Sequence, residues 1–247
     1  MTEQLTDHDR HDGEVQEQIN GYWSRRAAAY DDYQQRPERR ELDRRAWTDV
    51  WRSALPRAAY DVIDVGTGSG HVACLLASMG HRVTGVDLAD GMLERAREHA
   101  ARMPRAPSFV RGDAVDPPFP PGTFDAVVGR YLTWTLREPD RAFAAWRQLL
   151  RPGGRLALVD TAWFPRGWDA SQESAPDEFG DAYDATVRQA LPLAEGDTMW
   201  GLQQRLREAG FADVDVHPLH RILELDLEHG VAPGHEVRTQ YLVTARR

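Results

Sequence analysis

Lysine is missing altogether from the 247 residues: all thirty cationic positions are arginine. A Schiff-base lysine and the lysine of a Walker phosphate loop are thereby excluded. Cysteine occurs once, as Cys74, which rules out an internal disulfide and any multi-cysteine metal site. No apolar run approaches the roughly 18 residues of a membrane span, and the first residues are polar and acidic instead of a signal segment. The expectation is a cytoplasmic protein with no membrane span. Positive charge is also in deficit, with 30 arginines against 39 carboxylates and a net charge of −9. Such a surface repels phosphate backbones, so nucleic acid is set aside as a partner. What is present, 41% apolar residues at this length, suits one sizeable α/β domain with appendages.

Residues 1–14 carry almost nothing apolar and are expected to form a mobile tail. Residues 15–56 have a helical composition broken at Pro37, with Leu42, Ala46, Val50 and Trp51 at helical spacing, and predict an N-terminal helical cap. From residue 57 to 247 short apolar runs alternate with helical stretches, the pattern of a parallel sheet covered by helices on both faces. Seven strands are expected, at 60–65, 82–86, 108–111, 124–129, 154–160, 212–218 and 239–245. Helices are expected at 71–79, 91–103, 139–150 and 198–209, among others. The connection 162–197 holds Trp163, Phe164, Trp168, Phe179 and Tyr183. So long and aromatic a connection reads as a lid.

The chemical signal lies in Val62-Ile63-Asp64-Val65-Gly66-Thr67-Gly68-Ser69-Gly70, a buried strand, a tight glycine turn and a helix start. Such a turn brings a ligand against bare backbone. A dinucleotide fingerprint would read GxGxxG; here the pattern is GxGxG and His71 takes the place where helix and strand should pack, which argues against NAD. The next strand ends at Asp87, about 20 residues past the first glycine, where a carboxylate can hold a ribose diol. Gly112-Asp113-Ala114 follows the third strand, where an adenine amino group could meet a carboxylate and a backbone amide. By itself each feature also reads as a turn that binds nothing; at this spacing the three describe one nucleoside.

The segment from Val62 to Asp160 resembles the class I S-adenosylmethionine-dependent methyltransferases. The resemblance maps the acidic-plus-glycine motif on Asp64, Gly66, Gly68 and Gly70, the ribose acid on Asp87 with Leu88 and Met92 beside the adenine, and the adenine-side acid on Asp113 with Ala114. Phe124-Asp125-Ala126-Val127-Val128 and Leu150-Arg151-Pro152-Gly153-Gly154 match its later landmarks. It implies a Rossmann-like, doubly wound seven-stranded sheet in the order 3-2-1-4-5-7-6 with the last strand antiparallel. It also implies S-adenosyl-L-methionine as methyl donor and S-adenosyl-L-homocysteine as product. A helix start near Gly70 would favour the donor's carboxylate by ~0.3–1 kcal/mol.

Metal-dependent members of the family place carboxylates after the fourth strand; here the run is Arg130-Tyr131-Leu132-Thr133-Trp134, so no metal is expected. Asp116-Pro117-Pro118-Phe119 mimics an amino-methyltransferase loop but precedes the fourth strand, and reads as a connector. The Arg130 run is similar to a subgroup of bacterial small-molecule methyltransferases in which a histidine stands where Tyr131 does. Tyr131 is therefore one candidate for acid–base work near the methyl group and His217 the other. Arg130 is placed on the cofactor side, and so is Tyr30, in a Tyr-Asp pair resembling the segment that folds over the cofactor. Tyr22, Trp23, Trp134, Trp163 and Trp168 are expected around a small aromatic acceptor, with indoles and tryptophan-derived diketopiperazines of bacterial natural-product pathways foremost. Phenol O-methylation, quinone-precursor C-methylation and a cofactor-binding regulator are the alternatives. The cap and lid are open to two arrangements, over their own subunit or exchanged across a homodimer.

Overall fold

The computed structural model describes residues 7–56, 59–168, 177–196, 198–232 and 235–247. Seven strands form one sheet: β1 (Asp61–Val65), β2 (Arg82–Asp87), β3 (Ser108–Arg111), β4 (Phe124–Arg130), β5 (Leu150–Asp160), β6 (Ala212–Pro218) and β7 (Tyr241–Arg246). Their order is β3-β2-β1-β4-β5-β7-β6, the Rossmann-like order expected. The first five strands are parallel, while β7 runs antiparallel to both β5 and β6. In register, Asp64 pairs with Gly85 on one side and Val128 on the other. The strand order reverses between β1 and β4, and there the loops that follow the two strands leave a crevice beyond their carboxyl ends.

The central strands are buried on both faces, as near-continuous runs such as Val62 to Val65 require. One face is covered by α5 (Pro139–Leu149) and α8 (Thr198–Glu208), with Phe143, Trp146 and Leu202 fully buried. The other is covered by α2 (Pro37–Ala54), α3 (His71–Ser78) and α9 (His220–His229), around Trp51, Leu76 and Ile222. α2 opens on Pro37, where a missing N–H costs nothing, with Glu38 in its first turn and Arg52 in its last, matching the helix dipole. Since Trp47, Trp51 and Leu55 share a core with Val62 and Leu76, α2 is a layer of the α/β sandwich. Of the two N-terminal helices, α1 (Asp7–Gln34) is the one whose residues line the main cavity.

Three details differ from the sequence reading. α1 already begins at Asp7, so the expected tail is shortened; buried Val15 and Ile19 anchor this helix. Residues 1–6 lie outside the described residues. β5 starts at Leu150, four residues early, with an irregular register against β4 between Phe124 and Ala126. α9 (His220–His229) lies between β6 and β7, where the sequence reading names no helix. The 162–197 connection contains α6 (Asp177–Ala182) and α7 (Ala185–Gln189), the latter capped by Asp184, which accepts from the Thr186 and Val187 amides. Residues 169–176 and 197 lie outside the described residues.

α1 lies against α4 (Asp90–Ala100) at a contact only glycine permits. A Cβ on Gly91 would stand 2.5 Å from the Ser24 carbonyl oxygen. His99 of α4 reaches both Asp31 carboxylate oxygens, at 2.9 and 2.8 Å. Asp31 of α1 is thereby tied to α4.

Candidate functional site

The loop after β1 turns on Gly66, Gly68 and Gly70, all with positive φ. At Gly68, φ is +54° and the nearest atom to an added Cβ is the Met92 sulfur at 3.9 Å, so bare backbone faces open space. Its amide donates to Asp87 Oδ2 at 2.8 Å, and the Ala89 amide to Oδ1 at 2.9 Å. Burial raises the Asp87 carboxyl above the ordinary range, opposed by the amides of Ala89, Gly68 and Leu88. On the next strand's loop Asp113 accepts from the Val115 amide at 2.8 Å and from Arg137 at 2.9 Å. Arg137 also donates to Gln16 of α1 at 2.7 Å, tying the cap to this end of the site.

These groups open on one cavity of about 600 Å³ at the crevice between β1 and β4. It brings together Tyr30, Gly66, Gly68, Asp87, Leu88, Met92, Asp113, Ala114 and Arg130, and on the acceptor side Tyr22, Trp23, Tyr131, Trp134 and Trp163. A nucleoside fits this end: open glycine backbone, two fixed carboxylates and the apolar Leu88 and Met92 suit a sugar diol, an amino group and a flat base.

Four expected residues lie elsewhere. Asp64 is buried beneath the loop, accepting from Thr67 Oγ1 at 2.6 Å. Gly70 starts α3 and packs on Ala96 and Phe109, each 2.9 Å from where a Cβ would sit. Trp168 is buried behind the wall, stacked on Phe164 at 3.8 Å between centroids. His217 is exposed on β6, the outermost strand, and is absent from the cavity wall.

Burial pushes the Asp64 carboxyl up to about 7. The unfolded value is about 4, so the fold favours the neutral form: the contribution is full below about pH 4 and is lost as pH rises through about 7. Asp64→Asn is neutral throughout. Its melting temperature relative to the natural protein should therefore climb between about pH 5 and pH 8; a constant difference would refute the protonated Asp64.

Asp160, also buried at the end of β5, holds the loops that follow β4 and β5. It accepts from the Thr133 amide at 2.9 Å, the Thr161 amide at 2.9 Å and the Trp163 indole at 2.7 Å. The Trp134 indole donates to the Tyr131 carbonyl at 3.0 Å. Around these rings stand Tyr22, Trp23, Phe164 and Phe179, with Tyr183 stacked on Trp134 at 5.2 Å. Tyr183 in turn accepts from the Trp23 indole at 2.9 Å.

Tyr131 has a left-handed backbone, φ 61°. Its hydroxyl donates to Gln240, whose amide donates to Asp226 at 2.8 Å; Asp226 accepts from Arg39 at 2.6 Å. Burial drives the phenol pKa upward, outweighing the pull of Arg130. Tyr131 thus stays a neutral phenol with its proton committed, and it does not suit the role of base. Sequence reasoning missed Gln16, Arg137, Asp226 and Gln240, and also His235, Glu236 and Arg238 on the rim.

Residues 63–158 match the family described as methyltransferase domain. A demethylmenaquinone methyltransferase of Clavibacter sepedonicus is 30% identical over 202 residues, covering 75% of this chain and 80% of the relative. The chain belongs to the class I S-adenosylmethionine-dependent methyltransferases. Nocamycin O-methyltransferase of Saccharothrix syringae is 32% identical over 187 residues, 69% of this methyltransferase and 65% of that one. Among solved structures, a methyltransferase from Aquifex aeolicus superposes with TM-score 0.60 at 19% identity, covering 90% and 97% of the two chains. The [4+2]-cyclase SpnF does so with TM-score 0.58 at 20% identity, covering 81% and 79%. Both share the fold. In this methyltransferase no described helix is long and apolar enough to cross a membrane.

Proposed function

We propose that this methyltransferase transfers a methyl group from S-adenosylmethionine to a flat aromatic small molecule. The observation that carries the reading is the composition of the cavity wall. One end is glycine backbone with Asp87 and Asp113; the other presents the rings of Tyr22, Trp23, Trp134, Trp163, Phe164 and Phe179. Rings at both edge and face angles suit a planar guest, each well-placed pair adding ~0.5–1.5 kcal/mol beyond area burial. Holding such a guest in line with the sulfonium can by itself supply ~7–11 kcal/mol of barrier reduction. Indoles and tryptophan-derived diketopiperazines are the proposed first acceptors, because their bicyclic ring suits a pocket built from indoles and phenols.

The second reading is C-methylation of a quinone precursor. It is favoured by the relatives named demethylmenaquinone methyltransferase and ubiquinone/menaquinone biosynthesis C-methyltransferase, at 30% and 31% identity. The test is methyl transfer from deuterium-labelled S-adenosylmethionine to indoles, indole diketopiperazines, phenols, amines and quinols, read by mass and then by NMR position. A labelled indole product is the expected result. Labelling of the quinol alone would transfer the assignment to the second reading, and cofactor binding with every acceptor untouched would count against both.

A further inference from the structure

We infer that the aromatic acceptor carries a carboxylate, which Arg130 holds in a smaller cavity beside the acceptor wall; this rests on the aromatic-acceptor reading above. That second cavity, of about 110 Å³, adjoins the main one and shares with it Tyr30, Arg130, Tyr131 and Trp163. A ring seated in the main cavity has it as a neighbour, within reach of a short substituent.

Four arginines line the smaller cavity, Arg36, Arg39, Arg130 and Arg238, against three carboxylates, Asp43, Asp226 and Glu236. Two of the arginines take all three carboxylates. Arg39 pairs with Asp43 at 2.9 Å and Asp226 at 2.6 Å, and Arg238 pairs with Glu236 at 2.6 Å. Arg36 is held by uncharged groups, the Tyr33 hydroxyl at 2.7 Å and the His229 and Gly230 carbonyls at 3.5 and 3.4 Å. Those carbonyls end α9, and the negative end of the helix dipole offsets part of its charge. Its Nε is nevertheless buried with no acceptor among the described residues. The main cavity adds Arg26, which hydrogen-bonds the Tyr22 side chain.

Arg130 is the least compensated of these cations. Its Nη2 donates to the Gln34 side-chain carbonyl at 3.3 Å, and its guanidinium carbon stands 4.9 Å from the ring centroids of Trp47 and Tyr131. It forms no ion pair with a described residue. Gln34 and Trp47 line the smaller cavity and are absent from the wall of the main one, so the guanidinium is turned toward the smaller cavity although Arg130 borders both. The two rings hold the group in place by cation–π contact. A guanidinium stays charged at any physiological pH and has five N–H donors in a fork that matches a carboxylate. Four arginines against three carboxylates leave one positive charge uncompensated, which a singly charged carboxylate neutralises and a phosphate dianion exceeds. Arg36 supplies a further unfilled donor on the same wall.

The experiment is calorimetric titration of the protein saturated with S-adenosylhomocysteine, using indole-3-acetate and indole-3-acetamide, nearly equal in shape and different in charge. The natural protein should bind the acid at least about 30-fold more tightly than the amide, the effect of a charge-assisted pair. In Arg130→Gln the preference should shrink to within about threefold, and Arg130→Lys, which keeps the charge without the fork, should retain part of it. Equal binding of acid and amide by the natural protein would overturn the subsite, with no variant needed. A preference undiminished in Arg130→Gln would overturn it too. So would a loss of S-adenosylhomocysteine affinity beyond tenfold in Arg130→Gln, which would assign the arginine to the donor's own carboxylate. Indole and 2-naphthol serve as neutral controls: if they bind and the acid does not, the subsite alone fails. If acid, amide and both controls are all refused by the S-adenosylhomocysteine complex, the aromatic-acceptor reading fails and the subsite with it.

Discussion

Asp87→Ala should weaken S-adenosylhomocysteine binding by at least about 100-fold, equivalent to about 2.7 kcal/mol, while leaving the fold intact. The carboxylate at the end of β2 does two things. It accepts the Gly68 and Ala89 amides at 2.8 and 2.9 Å, which fixes the glycine loop in the shape that exposes its backbone. It also lines the cavity where a ribose diol would donate to it. Alanine removes a charge-assisted partner of the ligand, worth about 1.5–3 kcal/mol, and leaves two half-buried donors unsatisfied at about 1–3 kcal/mol each in the ordered loop. Part of that second cost is escaped when the loop relaxes in the unliganded protein, and it returns on binding. Asp87→Asn keeps one acceptor oxygen and should lose less. Calorimetric titration of the three proteins checks this, with circular dichroism as the control for folding; an Asp87→Ala affinity within threefold of the natural one would dismantle the nucleoside assignment.

The second large effect belongs to stability. Arg39 of α2 and Asp226 of α9 form a buried ion pair at 2.6 Å, their side chains 7% and 5% exposed. Asp226→Ala leaves the guanidinium buried with Asp43, at 2.9 Å, as its one remaining acidic partner among the described residues. Breaking a buried pair from one side costs about 3–5 kcal/mol; the retained Asp43 contact points to the lower end. For a chain of this size that is a fall in Tm of about 10 °C. Pairing Arg39→Met with Asp226→Leu removes both charges and should recover much of the loss, since apolar replacements of buried ion pairs are often close to neutral. Because Gln240 links Asp226 to the Tyr131 hydroxyl, both variants should also loosen the acceptor wall. Thermal unfolding of the single and double variants decides it: a double variant as unstable as Asp226→Ala would mean that the pair does more than neutralise itself.

Local pattern carried a long way in this protein. Alternating short apolar runs and helical stretches, punctuated by glycine and proline, were enough for seven strands, because burial on both faces imposes near-continuous apolar segments such as Ala126 to Val128. Gly66, Gly68, Asp87 and Asp113 were legible for a related reason. A doubly wound sheet delivers the ends of successive parallel strands to one crevice, so chain order nearly dictates site order. Other local patterns misled. The buried face of α9 includes Asp226, so its helical apolar repeat is broken by a charge that Arg39, 187 residues away, and Gln240 make tolerable.

The tertiary structure decided what the remaining candidates do. His217 sits at a strand end as a cavity residue should, yet β6 is the outermost strand and the side chain is exposed. Tyr131 occupies the expected place, but its hydroxyl donates to Gln240, 109 residues further on. His235 stands in Val-Ala-Pro-Gly-His-Glu, which reads as an ordinary turn, and reaches the site only because the antiparallel entry of β7 brings the preceding segment over the ends of β4 and β5. Residue spacing shows which face of an element is buried and which loop follows which strand. It does not show which distant segment folds over the ends of those strands, and here that segment supplies part of the cavity wall, including His235, Glu236 and Arg238.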